Sequence, residues 1–406
     1  MIFESHTLNN GIRVVHGRTT SPVAYACIMI NAGTRDELEG EHGIAHFIEH
    51  VLFKGTKKRR AYHIMSRLED VGGELNAYTT KEETVIHSTF LKEDYHRAVE
   101  LMFDITFQSS FPEKELAKEK IVVIDEINSY KDSPSELIFD DFEELLYPNH
   151  PFGRNILGSK KTLKRFTRND IFNFINRVYN TDQMVFCSIG NIPFNRVVKL
   201  ADRYFGTVTT NHRTVNRRAI EPTLPLYKEV GKKTFQQHCM VGCRSYHLHD
   251  DNRIAMFLLN NVLGGPGQNS RLNLSMRERN GFAYTVESSY MPYSDTGVFS
   301  VYFGSDKVNF SKSLDILYGE LSLLRNKKMG VQQLIKAKRQ LIGQLAIASE
   351  NNEALMLNVA RSHMFYNAVE GFDEVNAKIE NITADELLRV ANENFLSEKL
   401  STLIYT

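Results

Sequence analysis

Apolar positions in the first part of the chain alternate between two periods. Residues 25–31 are almost continuously apolar and close on Ala32-Gly33-Thr34, as a buried strand does. Residues 7–15 read as a strand entered through the Asn10-Gly11 turn. Ile44, Phe47, Ile48, Val51 and Leu52 recur at helical spacing, after acidic residues and Gly43 and before a stop at Lys54-Gly55-Thr56. A second helix is predicted over 61–71, broken by Gly72-Gly73. Strands follow over 74–79 and 84–91, and helices over 92–107 and from Pro112 to about Tyr130.

The helix over 44–52 carries polar groups that its packing stripe does not need. His46 and His50 are one turn apart, so both rings rise from one face with Cβ atoms roughly 5–6 Å apart. Two imidazoles so placed converge on one small cation. Zinc takes such nitrogens at about 2.0–2.1 Å and, in catalytic sites, keeps one position open for water. Glu49 borders the same face and reaches that water without being forced to ligate. The order H-x-x-E-H is the inverted zincin signature.

A third ligand is sought on the helix after Phe111-Pro112. Glu115, Glu119, Val122 and Glu126 fall on one face there, with Glu119 and Glu126 two turns apart. Spacing leaves open which of these carboxylates ligates.

The chain repeats itself. Ile254-Ala255-Met256-Phe257-Leu258-Leu259-Asn260 stands 210 residues after the motif helix and in register with it. Strand 235–245 mirrors 25–31, Ser270-Arg271-Leu272 echoes Ser66-Arg67-Leu68, and Phe282 to Thr285 loosely echoes Asn76 to Thr79. A period this long marks duplicated domains rather than a solenoid. In the second copy His46, Glu49 and His50 become Met256, Leu259 and Asn260. The core stripe survives and every metal-competent group is lost, so the polar groups of the first copy serve something other than folding. The prediction is an α+β protein of two homologous sheet-plus-helices domains. Residues 1–208 form the zinc-binding, catalytic domain, 209–225 a linker rich in Thr, Arg and Pro, and 226–406 a domain without metal ligands.

Composition narrows the partners. The 406 residues hold 49 basic and 49 acidic side chains, so no net field gathers nucleic acid or an anionic membrane. The run 24–32 is too short to span a bilayer, and the first residues lack a basic-then-apolar secretory pattern, so a cytoplasmic location is expected. Cys27, Cys187, Cys239 and Cys243 read as free buried thiols. Cys239 and Cys243 lie on a predicted strand about 13 Å apart, too far to share one zinc.

Taken together, these motifs resemble the inverted-motif zinc peptidase family of pitrilysin, insulin-degrading enzyme and the mitochondrial processing peptidase, above all its small bacterial processing-peptidase-like members. The likeness runs through Leu8-Asn9-Asn10-Gly11-Ile12-Arg13-Val14, Ala32-Gly33-Thr34-Arg35-Asp36-Glu37 and His46 to His50 with Phe53-Lys54-Gly55-Thr56. It continues through Gly72-Gly73, Asn76-Ala77, residues 119–127, Met276-Arg277-Glu278 and Gly281-Phe282-Ala283-Tyr284.

The resemblance implies one Zn2+ per chain on His46, His50 and Glu126, with Glu119 as a supporting carboxylate and Glu49 as general base. It implies that Asn76 and Ala77 pair with an extended peptide by strand addition, and that Arg277 and Tyr284 reach over from the second half to bind substrate. The two domains are then expected to close like a clamshell around the active site and to hydrolyse extended peptides or unfolded segments. The same ligands also accept manganese or cobalt. A homodimer, or a heterodimer with a homologue, is the expected assembly. The competing reading is a catalytically silent or regulatory subunit; such forms are expected to lose a ligand or the base, and none is lost here. Gly264-Gly265-Pro266-Gly267 departs from the family's glycine-rich element by its proline.

Overall fold

Two sheets account for the alternating patterns. In the computed structural model, which describes residues 1–406, the chain divides into two compact units. The first unit holds Met1–Asn128, Arg154–Arg218 and Ala348–Glu370, and the second holds Ser129–Gly153, Ala219–Ile347 and Gly371–Thr406.

The first unit's sheet uses β1 (Phe3–Thr7), β2 (Arg13–Arg18), β3 (Val23–Ile30), β4 (Glu74–Thr79), β5 (Thr84–Leu91) and β6 (Met184–Gly190), in the order β1-β2-β6-β3-β5-β4. All neighbours are antiparallel except β2 and β6. The strand expected over 7–15 is instead a hairpin: Asn10-Gly11 is its tip, Gly11 has φ +96°, and β1 precedes it. A turn residue with left-handed φ reverses the chain, so one strand cannot run through it.

β3 is apolar throughout because both its faces are covered. Ala24, Ala26, Ile28 and Ile30 enter the core beneath the helices Ile44–Val51 and Tyr95–Phe107, while Cys27 and Met29 point the other way. That second face is covered by the helix Asn352–Tyr366 through Met356, Val359, Ala360 and Met364.

The second unit repeats the plan with β7 (Tyr227–Val230), β8 (Gln237–Ser245), β9 (Ala283–Pro292), β10 (Gly297–Ser305) and β11 (Ser401–Tyr405), ordered β7-β11-β8-β10-β9. β7 and β11 are parallel and the rest antiparallel, as β2 and β6 are in the first unit. Taken in chain order, β2 to β6 and β7 to β11 therefore occupy the same places. The helix Arg253–Gly264 lies over this sheet where Ile44–Val51 lies over the first. The opposite face, with Met240, Val298, Tyr302, Leu403 and Tyr405, is covered by Ile138, Phe142 and Leu146 of the helix Pro134–Leu146.

These covering helices come from the wrong sequence halves. The units therefore depart from a division into 1–208 and 226–406: residues 129–153 belong to the second unit and 348–370 to the first. Within the expected linker 209–225, residues up to Arg218 belong to the first unit and those from Ala219 to the second. Arg213 and Arg217 both pair with Asp36, and Arg217 reaches Glu82 at 3.3 Å, which fixes residues 211–218 on the first unit. Cys239 and Cys243 lie on β8 as free buried thiols, as do Cys27 and Cys187 on β3 and β6. No helix is long and apolar enough to cross a membrane.

Candidate metal centre

His46, Glu49 and His50 stand on the helix Ile44–Val51. Ile44, Phe47, Ile48 and Val51 bury one side of that helix completely, so its rotation is fixed by packing. The facing helix Glu113–Lys131 buries Leu116, Glu119, Val123 and Ile127. The stripe therefore passes through Val123 rather than Val122, which is exposed. Glu126 borders that stripe and meets both histidines: its Oε1 is 3.7 Å from His46 Nε2 and its Oε2 is 3.3 Å from His50 Nε2.

The ligand-capable atoms of His46, His50 and Glu126 all lie within 4.8 Å of one another. Donors held at about 2.0–2.2 Å around one tetrahedral ion are roughly 3.5 Å apart, so the triad is close to coordination spacing. Glu126 Oε2 is buried with no aligned hydrogen bond, as is His46 Nδ1. A carboxylate that sets one oxygen against each of two imidazoles, the buried one without an aligned proton, suits a cation. The donor set of two imidazoles and one carboxylate fits zinc.

The charges agree. Burial lowers the His46 pKa, the His50 charge lowers it further, and Glu126 opposes both. Burial also disfavours charge on His50, but the Glu126 carboxylate, aided by Glu49 and Glu119, raises its pKa overall. The His50 ring against it holds Glu126 below the usual carboxylate range, with burial working the other way. Burial raises the half-buried Glu49 carboxyl, while Thr79 at the end of β4 works to lower it without a well-aligned hydroxyl contact. A carboxylate raised towards neutrality is the better proton acceptor for work near pH 7.

Glu119 meets the triad from behind, on the His50 ring nitrogen that does not face Glu126. Its Oε2 is 3.5 Å from His50 Nδ1, and its Oε1 is 2.9 Å from Lys54 Nζ. A carboxylate on the second ring nitrogen orients an imidazole and fixes its tautomer. Lys54 in this role was invisible to spacing arguments, because its partner is far along the chain. His42 lies ahead of the N-cap Gly43, off the helix, and its Nε2 contacts the Asn155 carbonyl.

Asn76 and Ala77 sit on β4, which is paired only with β5 and so offers a free sheet edge; Asn76 is exposed. The edge lies against the motif helix. In the second unit, Arg277 is in the π-helical segment Asn273–Glu278 and its guanidinium lies 5.4 Å from the exposed Tyr284 ring on β9.

The start of the motif helix is unusually crowded. Gly43, its N-cap, has φ +92°, and Gly158 packs directly on it with φ +75°. A methyl group on Gly158 would stand 2.5 Å from Gly43 Cα and 2.6 Å from the His42 carbonyl oxygen. Gly158→Ala is therefore expected to lose at least about 1–3 kcal/mol through strain, measured as a lower denaturant midpoint with weaker metal binding.

With fold and geometry in hand, comparison with known proteins gives a consistent result. The family model described as insulinase (peptidase family M16) matches residues 13–160, and that described as the peptidase M16 inactive domain matches 165–341. An uncharacterized zinc protease of Rickettsia felis is 31% identical over 414 residues, covering 99% of this chain and 97% of its own. One from Bacillus subtilis is 29% identical, covering 99% and 98%. A protease from Helicobacter pylori has the same fold, with a TM-score of 0.91 at 21% identity over 100% of this chain and 99% of that one. The chain belongs to the insulinase family, peptidase family M16. Its relatives in that family carry the name zinc protease.

Proposed function

We propose that this chain is a zinc metalloendopeptidase acting on extended peptides or unfolded segments of polypeptide. The observation that carries the reading is the convergence of His46, His50 and Glu126 within 4.8 Å, with Glu49 on the same helix as both histidines. The second copy of the domain keeps the helix and lacks all three motif residues. The first unit alone therefore supplies the triad.

When bound, a zinc ion supplies a Lewis acid and an acidified water. His46, His50 and Glu126 would hold it, and Glu119 would keep His50 turned by facing its Nδ1–H as an acceptor. Glu49 takes the proton of the attacking water on its carboxylate and returns it to the leaving amine. Main-chain groups of Asn76 and Ala77 align the substrate as an added strand, which selects extended segments. Arg277 and Tyr284 are assigned to substrate binding, with the Tyr284 hydroxyl free to donate to a developing oxyanion.

The test is cleavage of a quenched library of unstructured peptides by purified protein, with metal content measured alongside. One zinc per chain and cleavage sensitive to chelation are expected. A chain that takes up no metal would overturn the reading in favour of a silent, structural subunit.

A further inference from the structure

The N-terminus of the motif helix has a capping problem that Glu37 solves. Gly43 must be glycine there, because its φ is +92° and an added Cβ would stand 2.6 Å from Gly158 Cα. The N-cap position thus has no side chain to satisfy the first N–H groups of the helix. Glu37 reaches in from outside. Its Oε2 accepts the Gly43 N–H at 3.0 Å and its Oε1 accepts the Ala45 N–H at 3.0 Å. The side chain is 2% exposed, so these bonds are not shared with water.

The clamp is itself held. The Arg154 guanidinium binds the carbonyls of Glu37 and Leu38, and Arg177 pairs with Glu41 in the same loop. The Thr162 hydroxyl donates to the His42 carbonyl at 2.7 Å. Each oxygen of Glu37 is thus bonded to a main-chain group one or three residues from His46, on a helix of eight residues. In so short a helix a shift at the first turn moves every later side chain.

We propose that Glu37 is a positioning residue for the metal triad: by gripping Gly43 and Ala45 it sets where the motif helix stands against Glu126. It touches no ligand and acts only through the helix it caps. The inference rests on the metal-site reading above. Glu37→Ala removes both acceptors, and Glu37→Gln retains the volume and one of them.

Zinc affinity of wild type and both variants would be measured by competition with a chromogenic chelator, together with the visible spectrum of the cobalt-loaded proteins and the unfolding midpoint of each. Outer partners of metal ligands typically contribute roughly 10–100-fold in affinity. A loss in that range is expected for Glu37→Ala, with displaced cobalt bands well below its unfolding temperature and partial recovery in Glu37→Gln. Wild-type affinity and superimposable cobalt bands in Glu37→Gln, and in Glu37→Ala if it folds, would overturn the inference, even with a lowered midpoint, because Glu37 would then serve stability alone. Failure of the wild type to bind metal would instead remove the reading beneath it.

Discussion

Glu49→Gln is expected to reduce peptide hydrolysis by roughly 10²–10⁴-fold, the usual contribution of a positioned general base, while metal content stays at that of the wild type. The two halves of this expectation have different sources. Gln is nearly isosteric and Glu49 is not in the triad whose atoms converge, so coordination survives the change. Proton transfer does not, because an amide cannot accept and return the proton. Burial raises the Glu49 pKa, and Thr79 and the His50 charge only partly oppose this. In the wild type, activity should therefore fall as pH drops through that raised value and Glu49 becomes protonated. That acidic limb should be missing from whatever residual activity Glu49→Gln retains. Equal activity in mutant and wild type across pH would dismiss Glu49 as the base.

The second large effect concerns Glu126. Its replacement by Ala removes one of three converging donors and should weaken zinc binding by more than the roughly 10–100-fold typical of outer partners. It should also change the proton count. In the metal-free chain Glu126 raises the His50 pKa above its ordinary value. That contact stabilises the metal-free fold below about pH 6.5 and loses its effect as pH rises through the raised His50 pKa. Metal uptake runs the other way, since only neutral imidazole ligates. Wild-type protein should thus release protons on binding zinc near neutral pH, and Glu126→Ala should release fewer, because burial of His50 would then be opposed only by Glu49 and Glu119. Titration calorimetry in buffers of different ionisation enthalpy measures the difference. Unchanged affinity and proton release would exclude Glu126 as a ligand.

Much of this was legible in the sequence for definite reasons. The helix at Ile44–Val51 announced itself by its apolar spacing, and the duplication by polar groups lost from an otherwise matching stripe. The strand order shared by the two sheets follows from that duplication. The hairpin at Asn10-Gly11 was misread because β1 carries few apolar residues and is mostly exposed, so periodicity gave it no weight. Glu37 was visible as a letter in a motif but not as a cap, because it bonds six and eight residues ahead, outside the spacing of ordinary capping boxes. Lys54 and Glu119 form a pair that no local pattern encodes. Arg277 and Tyr284 came from family likeness alone.

The exchange of covering helices sets a timetable for biogenesis. A chain made from its N-terminus can build β1 to β6 and the motif helix once residue 190 has emerged, yet the sheet's second face stays bare until Asn352–Tyr366 follows. Val15, Cys27, Met29, Val185, Cys187 and Ile189, which pack on that helix in the folded chain, would lack their cover throughout that interval. The unit that carries the metal triad cannot mature first and wait for the other. Synthesis must run on through Tyr366 before that hydrophobic face is sealed, and a nascent chain in that state is a natural client for chaperones.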